Sequence, residues 1–324
     1  FLEEIIMAQP TNTFDSYDGS NSIKEDLSGI IESVSPEETP FYSACKKTKA
    51  TATLHEYQTD ALRAAGANAH IEGDATAGEA RTATTRLGNR TQIFKNAVVV
   101  PDTDSGTSKA GKNSEMAYQV IKVAKEQKLD IELALFANNA VVAGSATAAR
   151  ELGGAPIWLT TNDNFASGNS GAAPNGTGGA RTDDGTPRDL TQAIFDTTMQ
   201  SIWTAGGTPD TVYLSPYQMN IALGFTGNNN QRSTVQAGDA KVIKSLDVYV
   251  TPWGTVEFQP SRLIRGRDIL IAQNDMWNVA VLRPTKNVEL AKNGDNTTRQ
   301  VVTELTLVCK NEAASGLIAD LAVS

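Results

Sequence analysis

Residues 114–139, SEMAYQVIKVAKEQKLDIELALFANN, form the longest uninterrupted helical pattern in this chain of 324 residues. At 1.5 Å rise per residue such a helix spans about 39 Å, longer than most globular helices. Asn113 or Ser114 can cap its start, and Glu115 in the first turn suits the helix dipole. Met116, Val120, Val123, Ala124, Ile131 and Leu135 recur at three- and four-residue steps and make one apolar stripe. Lys122, Lys125, Glu126, Lys128, Asp130 and Glu132 fill the other faces, and neither Gly nor Pro interrupts the run. The pattern predicts a backbone element against which strands from both sides of the sequence pack. A long surface helix of an α/β enzyme would need only the same stripe.

The rest of the chain narrows that choice. The formal net charge is −9 with a pI near 4.9, so the chain repels phosphate, which argues against a general nucleic-acid grip. No apolar run approaches the roughly 20 residues of a membrane span, and no secretory signal is visible. Cys45 and Cys309 are the only cysteines. Two thiols are too few for a metal site and read as buried structural residues made in a reducing compartment.

Residues 1–6 precede Met7, and the polar stretch after Met7 reads as an ordinary N-terminus, so translation could begin there in the native protein. Residues 22–25 have the capping-box form, and Leu27, Ile30, Ile31 and Val34 follow at helical spacing. Pro36 ends that helix. Strand patterns at 51–59 and 91–100 flank a polar stretch, 60–90, with no core-forming periodicity. A structureless loop of that length is uncommon inside a compact domain, so it reads as a projecting hairpin that packs on a neighbouring subunit. Residues 161–187 are almost devoid of large apolar side chains and read as a mobile insertion.

A second amphipathic helix is expected at 189–205, stopped by Gly206 and Gly207. A buried strand follows at 211–214, then a helix opened by Pro216. Six strands are expected after that, at 246–251, 255–259, 268–272, 276–282, 286–291 and 299–310. Arg283-Pro284 and Asn293-Gly294 read as turns between them. The mixture predicts an α+β fold, and no internal repeat is present.

No catalytic constellation emerges. Gly106 to Lys112 imitates a phosphate-binding loop, but Asn113 stands where a magnesium-binding Ser or Thr is required, and Asp102 and Asp104 would repel a triphosphate. His55 and His70 lack the spacing of a metal pair, and no Gly-x-Ser-x-Gly elbow accompanies them. Three glycosylation triplets, at Asn89, Asn175 and Asn296, mean nothing without secretion.

Several segments resemble, in order, those of one family. Glu25 to Ser28 and Ser35 to Phe41 are similar to an N-terminal arm. Thr53 to Asp60 and Arg86 to Gln92 resemble the two legs of an extended loop. Ser114 to Gln119 and Asp130 to Leu135 resemble the start and middle of a spine helix. Gly206 to Asp210 and Leu214 to Pro216 resemble an axial domain, and Lys310 to Ala314 with Gly316 to Ile318 a C-terminal end. The ordered set resembles the major capsid proteins of tailed bacteriophages, with the Hong Kong 97-like fold.

The resemblance implies an arm at 1–49 and an extended β-hairpin loop at 50–100. It implies a peripheral domain from 101–152 and 255–324, built on the spine helix, and an axial domain at 153–254 with a flexible insertion at 161–187. It further implies hexamers and pentamers closing into an icosahedral shell around double-stranded DNA, in a virion made in a bacterial cytoplasm. The partners would be the chain itself, a portal protein, and a scaffolding or decoration protein. Packaged DNA would be only a non-specific neighbour, with no membrane and no cofactor. Arg81, Arg86 and Arg90 with Glu72, Asp74 and Glu79 are the expected inter-subunit charges of the loop. Residues 224–238 are the expected contacts around the five- or six-fold opening. An encapsulin-like compartment shell shares the fold and is the first alternative; an ATPase using Lys112 is the second.

Overall fold

A computed structural model describes residues 35, 37–73, 75, 78, 81–107, 109, 112–166, 171–225 and 248–323. The capping-box segment at 22–34 and nearly all of the opening loop at 224–238 lie outside these residues.

The chain enters through a short helix, α1 (Pro40–Ala44), and an edge strand, β1 (Lys46–Lys49). A hairpin follows, β2 (Leu54–Thr59) with β3 (Thr85–Arg90), then β4 (Gln92–Pro101) and a helical turn, α2 (Asp102–Gly106). The long helix is α3 (Glu115–Phe136), and the Ser114 side chain accepts from the Ala117 N–H as its cap. The remaining elements are β5 (Asp163–Asn164), α4 (Gln192–Thr204), β6 (Thr211–Leu214), α5 (Pro216–Ala222), β7 (Val248–Thr251), β8 (Gly254–Pro260), β9 (Ile269–Ala272), β10 (Trp277–Glu289), β11 (Asn296–Cys309) and β12 (Gly316–Ile318).

These strands make two larger sheets. One is four-stranded in the order β1-β10-β11-β4, with α3 across one face. The other is six-stranded, β5-β12-β9-β6-β8-β7, backed by α4. The expected boundary at residue 254 runs through this second sheet, because β8, β9 and β12 pair beside β6 and β5.

Two apolar cores result: in one, Tyr213 of β6 and Leu270 of β9 join Phe41, Phe136 and Trp277, so both sheets contribute, and the other packs α4 on the six-stranded sheet. Phe41 stacks on Phe136 at 5.1 Å and meets Trp277 edge-on at 5.8 Å, so α1, α3 and β10 share one centre. Phe195 stacks on Phe258 at 5.6 Å and meets Tyr249 edge-on at 5.4 Å in the other. Edge-to-face and offset pairs at these separations add to the apolar burial of the rings. Gly206 takes φ +93 where α4 stops, and a Cβ on Gly207 would sit 2.7 Å from the Ala314 Cα.

Two sequence expectations change. Arg283-Pro284 does not separate two strands: β10 is continuous, with register shifts against β11 on either side of Arg283. A bulge lets proline sit in a strand without breaking it. The described residues of the expected flexible insertion, 161–166 and 171–187, are tied into the fold by charge rather than by apolar packing. The Arg181 guanidinium is wholly enclosed and lies 2.9 Å from Asp183, 3.2 Å from Asp320, 3.7 Å from Asp163 and 4.0 Å from Asp268. Asp320 also accepts from the Asp184 backbone N–H and holds φ +59, a left-handed conformation that Asp tolerates when its surroundings fix it. Burial pushes Asp163 up to about 7, with Arg181 pulling it back. Burial likewise pushes Asp268 up to about 6, opposed by Arg265 and Arg181.

Candidate assembly surfaces

The β2–β3 hairpin projects from the body, and its register pairs Leu54 with Arg90 and Thr59 with Thr85. Residues 60–73 beyond it are all exposed, with Leu62 98 % and Ile71 84 % accessible. Two large aliphatic side chains held in water gain nothing from this chain's own folding.

The base of the hairpin is rigid. Asn89, fully buried, donates to the carbonyls of Gly153 (3.0 Å) and Leu307 (2.8 Å) and accepts from the Gly153 N–H (2.9 Å). Thr91 donates to Glu304, which also pairs with Arg150 at 2.6 Å and Arg283 at 2.7 Å. Tyr57 meets Trp158 edge-on at 6.5 Å. Beneath the hairpin lies a cleft of about 320 Å³ lined by Tyr57, Leu87, Trp158, Cys309 and Glu312.

Of the six nominated charges, Glu72, Arg81 and Arg86 are exposed on the hairpin, and Arg90 is half-buried at its base. Asp74 and Glu79 lie outside the described residues. Arg86 is not brought to a nominated acid: it pairs with Glu56 across the hairpin. Sequence reasoning passed over Leu62 and Ile71, although isolated large apolar residues in a polar stretch were a visible signal.

A second surface lies on the four-stranded sheet, opposite α3. Phe94, Val98 and Val100 of β4 are buried, so Ile93, Lys95, Ala97 and Val99 face outward. Register extends that face in rows: Lys95, Val302 and Lys286 in one; Ala97, Gln300 and Val288 in the next. Val99 is 58 % and Val288 46 % exposed.

The motifs weighed for chemistry are otherwise engaged. Lys112 pairs with Glu115 and lies 5.0 Å over the Tyr118 ring, while Lys109 pairs with Asp104 and Glu115. A phosphate would have to displace those carboxylates. Gly111 and Ser108 lie outside the described residues. His55 sits in β2 opposite Asn89, its pKa lowered by burial. Burial pushes the Cys45 and Cys309 thiols far up, which leaves them unreactive. Among the described residues, no three His, Cys, Asp or Glu are grouped to hold a metal ion, and no helix is long and apolar enough to cross a membrane.

The profile of the SU10 major capsid protein family matches residues 9–322. The major capsid protein of Escherichia phage Phieco32 is 29 % identical over 346 residues, covering 96 % of this chain and 97 % of that protein. In fold, the chain is similar to the capsid asymmetric unit of Cyanophage A-1(L), with a TM-score of 0.69 at 11 % identity over 96 % of this chain and 100 % of the other. It is also similar to the holo-SrpI encapsulin of Synechococcus elongatus PCC 7942, with a TM-score of 0.56 at 12 % identity over 96 % and 97 % of the two chains.

Proposed function

The chain belongs to the SU10 major capsid protein family, and from that premise we propose that it assembles as hexamers and pentamers into the icosahedral shell enclosing a tailed phage's double-stranded DNA. It is a phage major capsid protein of the Hong Kong 97-like fold, and its place is the virion. The observation that carries the assembly reading is the hairpin: a rigidly anchored base holding Leu62 and Ile71 in water, beside a sheet face of exposed valines. Apolar side chains held in this way are completed by a neighbour.

In this reading the hairpin is the extended loop, the α3 sheet with its core is the peripheral part, and the six-stranded sheet is the body of the axial part. The loop charges Glu72, Asp74, Glu79, Arg81, Arg86 and Arg90 set register and specificity more than affinity, because exposed pairs contribute only about 0–1 kcal/mol each. A portal protein and a scaffolding or decoration protein are the further partners this reading expects. We assign the chain no catalytic role, since Lys112 is held by Glu115 and Tyr118.

Electron microscopy with light scattering on the purified full chain, alone and with its expression lysate, tests the proposal. Closed shells, or rings of five and six, are expected; a monodisperse monomer or dimer under both conditions would overturn it. Dense DNA inside native particles separates this reading from an enzyme-storing compartment. Arg86→Glu should lower shell yield while leaving the subunit's circular dichroism unchanged, and full yield would remove Arg86 from the contact set.

A further inference from the structure

Nearly all of the chain's net charge is in one place. Residues 1–38 hold nine acidic side chains and a single lysine, so they carry −8 of the total −9, and residues 39–324 are close to neutral. An acidic segment on a near-neutral body looks for a cationic surface.

The structure shows where that segment leaves the body. Glu132 of α3 accepts the backbone N–H groups of Phe41 (2.9 Å) and Tyr42 (2.7 Å). Glu38 and Pro40 share a small cavity with Leu129. Glu37 pairs with Lys125 at 2.7 Å. As chain numbers fall from Tyr42 to Glu37, the contacted position on α3 falls from 132 to 125. Residues 37–42 therefore run alongside α3 toward its N-terminus.

What waits there is a helix face that no described residue covers. The fully buried residues of α3 begin only at Gln127. Before it, Gln119 and Val123 turn toward β4, while Ala117, Ile121 and Lys122 face away from the sheet and are exposed, Ile121 by 61 %. Ser114 to Lys125 covers about 17 Å of helix, and residues 22–34, if helical, cover about 20 Å. Those thirteen residues place Ile23, Leu27, Ile30 and Val34 on one stripe, with Glu25, Asp26 and Glu32 beside it.

We propose that residues 22–34 dock as an amphipathic helix on the outer face of α3 between Ser114 and Lys125 of the same chain. Their apolar stripe covers Ile121 and Ala117, and their acids extend the Glu37–Lys125 pairing to Lys122. The result is a helix laid against a helix face, with anchors at three- and four-residue spacing. The contact lies within one chain, so it stands or falls separately from shell formation.

Hydrogen exchange read by mass spectrometry on the full chain, as free subunits or rings and as shells, tests this. Amides of 22–34 are expected to exchange slowly in both states. Ile121→Asp should speed them at least about tenfold, the factor that about 1.4 kcal/mol supplies, while β10 and β11 keep their protection. Free-peptide exchange rates in the unaltered chain, or protection that Ile121→Asp leaves intact, would overturn the proposal. A cysteine pair, Ile30→Cys with Ile121→Cys, separates the two remaining occupants: a link within one chain is expected. A link only between chains would mean that the groove belongs to a neighbour's arm, and would overturn docking in the same chain.

Discussion

Single polar side chains do much of the joining in this fold. Asn89 closes three hydrogen bonds between β3, the turn at Gly153 and the end of β11. Asn89→Ala removes all three bonds, leaving the Gly153 carbonyl only its long contact from the Trp158 indole N–H at 3.4 Å, and should cost about 3 kcal/mol, since each buried group left unpaired costs about 1–3; urea unfolding of the unassembled subunit reads it. Glu132 is enclosed, faces the N–H groups of α1, and is pushed up to about 7 mainly by burial. A carboxyl whose folded pKa is raised holds its proton more tightly folded than unfolded. Its contribution is complete below the ordinary carboxylate range and is lost as pH rises through about 7. Glu132→Gln should therefore remove a fall in stability between about pH 4.5 and 7, a slope of at most about 1.4 kcal/mol per pH unit for one proton. Melting temperatures of the two proteins across that range decide it. None of these roles was legible in the sequence. Asn89 sat in a glycosylation triplet, Glu132 looked like one more solvated acid on α3, and Arg181 was one cation in a polar run. Burial of a polar residue depends on partners tens to hundreds of positions away, and a local pattern does not register them.

Among elements, the ones that carry their own periodicity were readable. The α3 stripe, the Ser114 cap and the Gly206 stop all follow from local spacing, and the structure ends the helix three residues earlier than 139, at Phe136. β10 was not readable as one strand, because Pro284 signals a break and only pairing with β11 shows that a bulge absorbs it. The ion pairs that hold residues 161–166 and 171–187 leave no apolar signature in the sequence. The outward face of β4 and β10 makes a prediction at this scale. Val99→Glu together with Val288→Glu should leave the subunit's unfolding free energy within about 0.5 kcal/mol, as exposed substitutions do. If that face meets a neighbour, shell yield by light scattering should drop sharply; unchanged yield would place the face in solvent.

For the whole molecule, topology matters more than any one contact. β4 pairs with β11 across about two hundred residues, joining Pro101 to Asn296 and Gln92 to Leu305. β1 reaches β10 over a longer gap still. Chains dominated by such distant pairings fold slowly, because loop closure precedes the reward. Stopped-flow circular dichroism on the denaturant-unfolded chain should find most of the refolding amplitude slower than about 1 ms, and the light-scattering signal should rise with protein concentration during that lag. A fold complete within microseconds would contradict the topology.

β11 lies inside the four-stranded sheet, between β10 and β4, and β12 lies inside the six-stranded one, between β5 and β9. Both of these interior strands are made after residue 295. On a ribosome, the hairpin, α3 and the α4 sheet all emerge before the strands that complete their platforms. A nascent chain cut short before them by a stalled ribosome or a protease lacks an interior strand of both sheets, and so has no finished surface to offer a growing lattice. The two sheets are thus closed last by the strands synthesised last, so completeness of the chain and completeness of its sheets coincide.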